Sequence, residues 1–571
     1  MATATSSRVR SLLRDPSLFK EQAYIEGQWT NGDGRSQFSV LSPYSKEYLG
    51  SCPDLDINTT NTAIEAAQKA FDDFQHTSAR QRMTILKNWF ELMREHEDDL
   101  ATILSLENGR PIAAAHAEIK YAASFLEWFQ GEAVRSYGDS IAASAPGTQV
   151  VTIKQPVGVV GIITPWNFPS AMITRKVGAA LAAGCSMVVK PAAETPFSAL
   201  ALAELGERAG VPAGVLNVTT TQKNIADVGK LICEHPSVKK LSFTGSTGVG
   251  KILMQQSSQS LKKLSMELGG NAPFIVFNDA NCEQAIQGLM AAKFRGSGQT
   301  CVSPNRVYVQ KGIHDIFIQR LQQAMDTQLV KGDPLLTGTT IGPLINVKAV
   351  EKVERLVSDA RSQGATVVTG GTRSSGDPEN YYPPTIVRGM THSMQASKEE
   401  LFGPVVAIYP FESQQELLQM ANDAEVGLGA YVYTDTLNQA WRTAELLQTG
   451  MVGVNTGVIS DPVAPFGGVK HSGFGREGGR IGIDEFQILK ASRHLSTLQP
   501  AAVLLILAIT RQSLLVGSSR KLGNGVRLYT PSPTVLLLMG TVLGGVCLEP
   551  KYSSYNLHVT ENRLGRGGGC A

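Results

Sequence analysis

From Asn58 to about Gln130, apolar residues recur at three- and four-residue steps with few breakers, a period that predicts helices. Within this stretch RQRMTILKNWFELMREHEDDLATILSLENGRP reads as two helices, stopping at Gly109 and Pro111. The pattern then changes. QVVTIKQPVGVVGIITP reads as strands, and VGVVGII is apolar on both faces, as a strand buried in a parallel sheet is. SMVVK, VLNV, KKLSFT and APFIVF follow, alternating with helical segments, and that alternation predicts an α/β unit with a parallel sheet. Residues 283 to 470 repeat it through NRVYVQ, GATVVTGG, PVVAIYPF, GAYVYT and GMVGVN, so a second α/β unit is expected.

The pattern breaks down after EFQILK. Residues 496–571 hold two apolar runs, 501–510 and 534–548, and then a polar, Gly-rich finish. Neither run reaches the ~20 residues needed to span a bilayer. The segment reads as an appendage from altered splicing or a misassigned gene end rather than a membrane anchor.

Composition narrows the classes. A chain of 571 residues exceeds what one core normally fills, so two or three structural units are expected. Hydrophobic content of 42% and charge of 18% suit a globular enzyme, and a net charge of +2 gives no reason to expect nucleic acid. Cysteines at 52, 185, 233, 282, 301, 547 and 570 form no C-x-x-C pair, which argues for a reducing compartment and against a disulfide framework or a metal site. Arg8, Arg10 and Arg14 precede the first acid, Asp15, which is the composition of a weak mitochondrial presequence. The stretch is short and also reads as an ordinary amino terminus, so a cytoplasmic protein is expected, with mitochondrial import as the alternative.

Two fragments carry candidate chemistry. Cys301 sits in GQTCVSPN and Glu267 in SMELGGNAPFIVF. A thiolate adding to an aldehyde carbonyl, followed by a carboxylate that activates water against the resulting thioester, needs these two groups. Asn167, in TPWNFP, follows the apolar strand 157–163 between two prolines, where an amide can face a cleft at a strand's carboxyl end. FTGSTGVG follows the strand-like KKLSFT and opens a helical run, so its N–H groups can receive a phosphate. Taken alone, each has a plainer reading: a buried thiol, a strand-end ion pair, a turn asparagine.

Together with PVGVVGIITPWNFPSAMITRK, GCSMVVKPA, EELFGPV and PFGGVKHSGFGREGG, and in this order, these strings resemble the aldehyde dehydrogenase superfamily over roughly residues 20 to 492, most closely its succinate-semialdehyde dehydrogenases. The resemblance implies a Rossmann-like cofactor domain (1–137 and 158–267), an α/β catalytic domain (268–470) and a small β oligomerisation flap (138–157 and 471–495), with 496–571 an atypical tail. It implies Cys301 as nucleophile and Glu267 as base, with Asn167 and the Cys301 backbone N–H as the oxyanion hole. Thr164, Pro165, Trp166, Lys190, Gly245, Ser246, Gly250, Glu400 and Phe402 match cofactor-binding positions, and Lys176 and Glu477 match positions linked to proton movement. Arg175, Arg295 and Ser460 match contacts to a substrate carboxylate, for which an arginine fork is suited. No metal is implied.

Departures from the family pattern bear on detail. Where many NAD-using relatives carry an acid three residues after the lysine matched by Lys190, this chain has Ala193, with Glu194 next, so the expected cofactor is NAD or NADP. Ser303 stands where some relatives have a second cysteine, so no disulfide switch is expected. The implied reaction is oxidation of succinate semialdehyde to succinate by a homodimer or homotetramer. Glutarate semialdehyde and other carboxylate-bearing or aliphatic aldehydes are the alternatives, and Glu267 argues for hydrolysis over coenzyme-A acylation. A nucleoside-triphosphatase is the rival class, since GSTGVGK has P-loop spacing, but Ile252 stands where Ser or Thr would hold magnesium. An inactive or structural product, its assembly blocked by the tail, is the remaining reading.

Overall fold

The central strand of the first sheet, Val159–Ile163, is buried along its whole length, as its unbroken apolar sequence requires. A computed structural model describes residues 8–34 and 36–495 and two short strands, Arg520–Lys521 and Arg527–Leu528. The apolar runs 501–510 and 534–548 lie outside the described residues.

Val159–Ile163 belongs to an eight-stranded sheet in the order Gln28–Thr30, Ala23–Ile25, Leu216–Val218, Ser186–Lys190, Val159–Ile163, Val238–Thr244, Lys263–Glu267, Gly473–Phe474. The five inner strands are parallel. From Val159–Ile163 the chain adds strands to one side, then returns to place Val238–Thr244 on the other. The order reverses there, and α/β sheets bind ligands beyond the carboxyl ends of the strands at such a point. Gly473 and Phe474, expected in the oligomerisation segment, pair with Glu267 and Met266 at the far edge.

The helical region resolves into Ile57–Phe74, Ala79–Glu95, Glu97–Asn108 and Ile112–Ala133. Ser78 and Gln81 form a reciprocal capping box at the second start. Gly109, at φ 76°, closes the third in the left-handed region and turns the chain toward Arg110. The helix Ala171–Ala183 is buried on every side.

A second sheet orders Thr366–Thr369, Thr385–Arg388, Val405–Phe411, Pro304–Gln310, Ala272–Val276, Gly429–Tyr433 and Met451–Val454, parallel except for its first pair. Its two faces are covered by separate apolar clusters.

By its contacts the chain divides into Met1–Gly138 with Ile153–Lys490, which holds both sheets, and a second unit of Asp139–Thr152 with the chain from Ala491 onward. In the second unit, Ser140–Ala142 pairs antiparallel with residues 149–151. Among the described residues no helix is long and apolar enough to cross a membrane.

Candidate active site

Three strand ends and one turn converge on a cavity of about 260 Å³ that borders Asn167, Glu267, Cys301 and Glu400. Thr164, just past Val159–Ile163, donates its N–H to the Lys190 carbonyl at 3.2 Å, tying together the ends of adjacent strands. Gly245 and Ser246 follow Val238–Thr244, and Glu267 ends Lys263–Glu267.

Cys301 lies between a short 3-10 turn, Arg295–Gly298, and the strand Pro304–Gln310. That turn is tight: Gly296, Ser297 and Gly298 all have positive φ, at 59°, 56° and 77°. Gly270 fixes the approach from below, because a Cβ there would sit 2.4 Å from the Cys301 carbonyl oxygen. Gly270→Ala is therefore expected to lower stability by about 1–3 kcal/mol, the usual cost of overpacking. It should also move the thiol, so that thermal unfolding and thiol alkylation rate shift together. Burial, with the Glu267 carboxylate beside it, pushes the Cys301 thiol well above its ordinary pKa, against the pull of Arg175. The resting group is a protonated thiol with a carboxylate at hand.

Glu267 is buried. Its Oε2 accepts from Arg175 Nη2 at 2.8 Å and from Thr244 Oγ1 at 2.9 Å, while Oε1 has no hydrogen-bonding partner among the described residues. Lys176 Nζ donates to Thr244 Oγ1 at 2.6 Å and also pairs with Glu477, and Arg175 Nε pairs with the same Glu477. Burial would raise the Glu477 carboxyl, but Arg175 and Lys176 outweigh it and hold the pKa below its usual range.

Asn167 Nδ2 donates to the Gln299 carbonyl at 3.0 Å, leaving its second amide hydrogen for a ligand. The turn that carries it is clamped from a direction the sequence reading missed. Asn108 Nδ2 donates to the Trp166 carbonyl at 2.8 Å, and Arg110 Nη2 donates to the Asn167 carbonyl. Arg110 also pairs with Glu118, whose Oε1 accepts the Ser170 N–H at 3.1 Å. Phe168 is bracketed by guanidinium groups, Arg110 at 4.2 Å and Arg295 at 4.8 Å from its ring centroid.

The expected carboxylate contacts come together, in unequal states. Arg175 is 1% exposed and occupied by Glu267 and Glu477. Arg295 is half-buried, rests over Phe168 and Tyr121, and makes no ion pair among the described residues. Tyr121, also missed, lies near Ser460 and Arg175, and burial raises its phenol pKa against their pull. Arg175 and Lys176 are thus matched by Glu267 and Glu477, while Arg295 has no ion pair among the described residues.

The expected cofactor positions border the same cavity, except Thr164, Lys190 and Gly250, which fall outside its lining. The helix Thr247–Ser257 starts there, capped by Ser246 Oγ accepting from Val249 N, and a Cβ on Gly248 would meet open space. Gly250 is needed for packing, since a Cβ would lie 2.5 Å from Leu268. Burial raises the Glu400 carboxyl to about 7, and Glu400 Oε1 accepts the Gly270 N–H at 3.3 Å. Trp166 and Phe402 meet edge-on at 5.7 Å, with Phe402 at φ 52°. Lys190 Nζ donates to the Pro191 carbonyl at 2.8 Å, and burial lowers its pKa to about 8 against the pull of Glu194. An open helix N-terminus, an acid for a ribose diol and flat apolar walls suit a dinucleotide. Lys251, the would-be P-loop lysine, is exposed.

Comparisons with known proteins agree in outline. Residues 29–492 match the aldehyde dehydrogenase family. The chain is 50% identical over 478 residues to the Escherichia coli protein named succinate-semialdehyde dehydrogenase [NADP(+)] GabD, covering 84% of this chain and 98% of that one. It is 51% identical over 475 residues to the human mitochondrial succinate-semialdehyde dehydrogenase, covering 83% and 88%. It is also 49% identical over 478 residues to a Pseudomonas aeruginosa glutarate-semialdehyde dehydrogenase, covering 84% and 98%. Among solved structures, an E. coli NADP-dependent enzyme superposes with a TM-score of 0.83 at 50% identity over 84% of this chain and 99% of that one. A Staphylococcus aureus betaine aldehyde dehydrogenase in complex with NAD+ gives 0.82 at 31% identity over 87% and 98%.

Proposed function

The chain belongs to the aldehyde dehydrogenase family, and from that premise we propose that it oxidises succinate semialdehyde to succinate with NAD or NADP. The observation that carries the substrate is Arg295, a half-buried guanidinium without an ion-pair partner among the described residues. It rests over Tyr121 and over Phe168, the ring that Arg110 also contacts. A buried cation costs stability unless paired, and a substrate carboxylate supplies the pair.

The chemistry follows from the chain's own groups. Glu267, beside the thiol, takes its proton, and Cys301 sulfur bonds to the aldehyde carbon. The free Asn167 amide hydrogen and the Cys301 backbone N–H stabilise the oxyanion, where losing one donor costs about 10²–10³ in rate. The dinucleotide, when bound, supplies the two-electron acceptor that turns this adduct into a thioester. Glu267, its first proton shed, then takes a proton from water as the water attacks the thioester carbon. The C–S bond breaks, the sulfur takes that second proton back, and succinate leaves with the Cys301 thiol restored, one proton being released per turn. Lys176 and Glu477 pass that proton outward through Thr244, which Lys176 contacts.

Residues 1–137 and 158–267 are assigned to cofactor binding, 268–470 to catalysis, and 138–157 with 471–495 to assembly. Ser246, Glu400 and Phe402 hold the cofactor, with Lys190 at its adenosine end. The exposed Glu194 leaves room for a 2′-phosphate. A homodimer or homotetramer is supported by exposed Ile141, Ile153, Ile488 and Leu489 in the segments assigned to assembly. A cytoplasmic location is supported by five free cysteines among the described residues.

Arg295→Gln tests the substrate. It is expected to lower kcat/KM for succinate semialdehyde by about 10–10³-fold, the cost of a lost charged hydrogen bond in a buried site. The loss for butanal, the uncharged aldehyde of equal length, should be much smaller, and equal losses remove Arg295 from the carboxylate site. Glutarate semialdehyde should also turn over, since one methylene is worth only about 1–3 kcal/mol.

A further inference from the structure

Arg175 is claimed by two acids before any substrate arrives. Its Nη2 donates to Glu267 Oε2 at 2.8 Å, its Nε pairs with Glu477, and Thr244 adds a second bond to the same Glu267 oxygen. While that arrangement lasts, Glu267 is an ion-pair partner as much as a base. We propose that the carboxylate of an acidic aldehyde draws Arg175 away from Glu267, so that binding the correct substrate releases the base for thioester hydrolysis. The inference rests on the carboxylate-reading pocket proposed above.

The charges favour the exchange. Arg175 and Lys176 are matched by Glu267 and Glu477, and Arg295 holds no ion pair among the described residues, so an incoming carboxylate meets an unpaired cation instead of adding an excess of negative charge. Arg295 offers the first contact, because it holds no ion pair among the described residues. Tyr121, under Arg295 and near both Ser460 and Arg175, stands between the outer contact and the inner fork. Glu477 keeps Arg175 anchored through Nε while Nη2 changes partner. The guanidinium has donors enough for both roles.

A neutral aldehyde brings no competitor for Nη2. It can form the thioester on Cys301, whose thiol already lies against Glu267 at rest, but a Glu267 still paired with Arg175 is a weak base toward water and hydrolysis lags. Substrate choice is then expressed in kcat at hydrolysis as well as in binding, with a remote group of the substrate supplying the energy.

Native protein mixed rapidly with butanal and cofactor is expected to give a burst of reduced nicotinamide and then a slow steady rate, whereas succinate semialdehyde gives no burst. Acetate, at concentrations where it competes with succinate semialdehyde, should raise the steady butanal rate about tenfold and leave the burst amplitude alone. Acetate that competes but leaves or lowers the butanal rate overturns the release mechanism, with the substrate assignment still standing. Loss of the preference for succinate semialdehyde in native protein overturns the assignment itself. If acetate does not compete, Arg175→Gln and Arg175→Lys decide. Release predicts a several-fold faster steady rate with butanal alongside a lower kcat/KM for the semialdehyde; parallel falls in folded variants overturn it.

Discussion

Cys301→Ala is expected to abolish oxidation of every aldehyde, a fall of at least about 10³-fold, because without the sulfur no adduct forms from which two electrons can leave. Dinucleotide binding, followed by quenching of protein fluorescence, should survive, since Ser246, Glu400 and Phe402 stand apart from the sulfur on their own segments. Normal turnover by the variant would end the covalent mechanism. The native thiol adds a pH signature. Because burial and Glu267 hold its pKa well above the ordinary value, alkylation by a neutral reagent should accelerate as pH rises through the alkaline range. A rate that is flat from neutral pH upward would mean a thiolate at rest.

Glu267→Gln is the second large effect, and it separates the two half-reactions. The amide cannot take a proton from water, so steady turnover of succinate semialdehyde should fall by about 10²–10⁴-fold, the range general-base groups contribute. Thioester hydrolysis should suffer most. Intact-mass measurement during slow turnover should find the succinyl group on Cys301, and a variant that shows no adduct would place Glu267 in thiol activation alone. Gln is close in shape and can still accept from Arg175 and Thr244, so the fold should persist.

Much of this site could be read along the chain. Cys301, Glu267 and Asn167 each lie in short strings whose neighbours are small, glycine or proline, and such strings occur where the backbone must turn tightly around a ligand. The sheets were legible for a similar reason, since VVGII has no polar face to show water and is buried throughout. What could not be read was support from a distance. Arg110 and Glu118 straddle a helix start more than forty residues before Asn167, and nothing in ENGRPIAAAHAEIK says that a guanidinium will reach the Asn167 carbonyl. Tyr121 lies on the same helix as Phe125 and Phe129, so its spacing reads as core. Its phenol is distinguished only by Ser460 and Arg175, which folding brings to it. The resting state of Arg175 was equally hidden: the sequence supplied a cation for the substrate but not the two acids that hold it. Gly473 and Phe474 look like loop until Glu267 and Met266 are set beside them.

The turn from Trp166 to Phe168 does three things within three residues: one ring meets Phe402, one amide borders the cavity while donating to the Gln299 carbonyl, and one ring supports Arg295. All three hang from Asn108 and Arg110. For evolution, or for an engineer, this means that rate and selectivity are inherited together on that side of the cavity. A change that widens the pocket by moving Phe168 also disturbs the oxyanion donor next to it, and selection for a longer substrate will stall there. The Ser460 side carries no such burden. Lineages that drift from four-carbon to five-carbon semialdehydes should therefore record their changes around Ser460 while leaving Asn108, Arg110 and Phe168 alone.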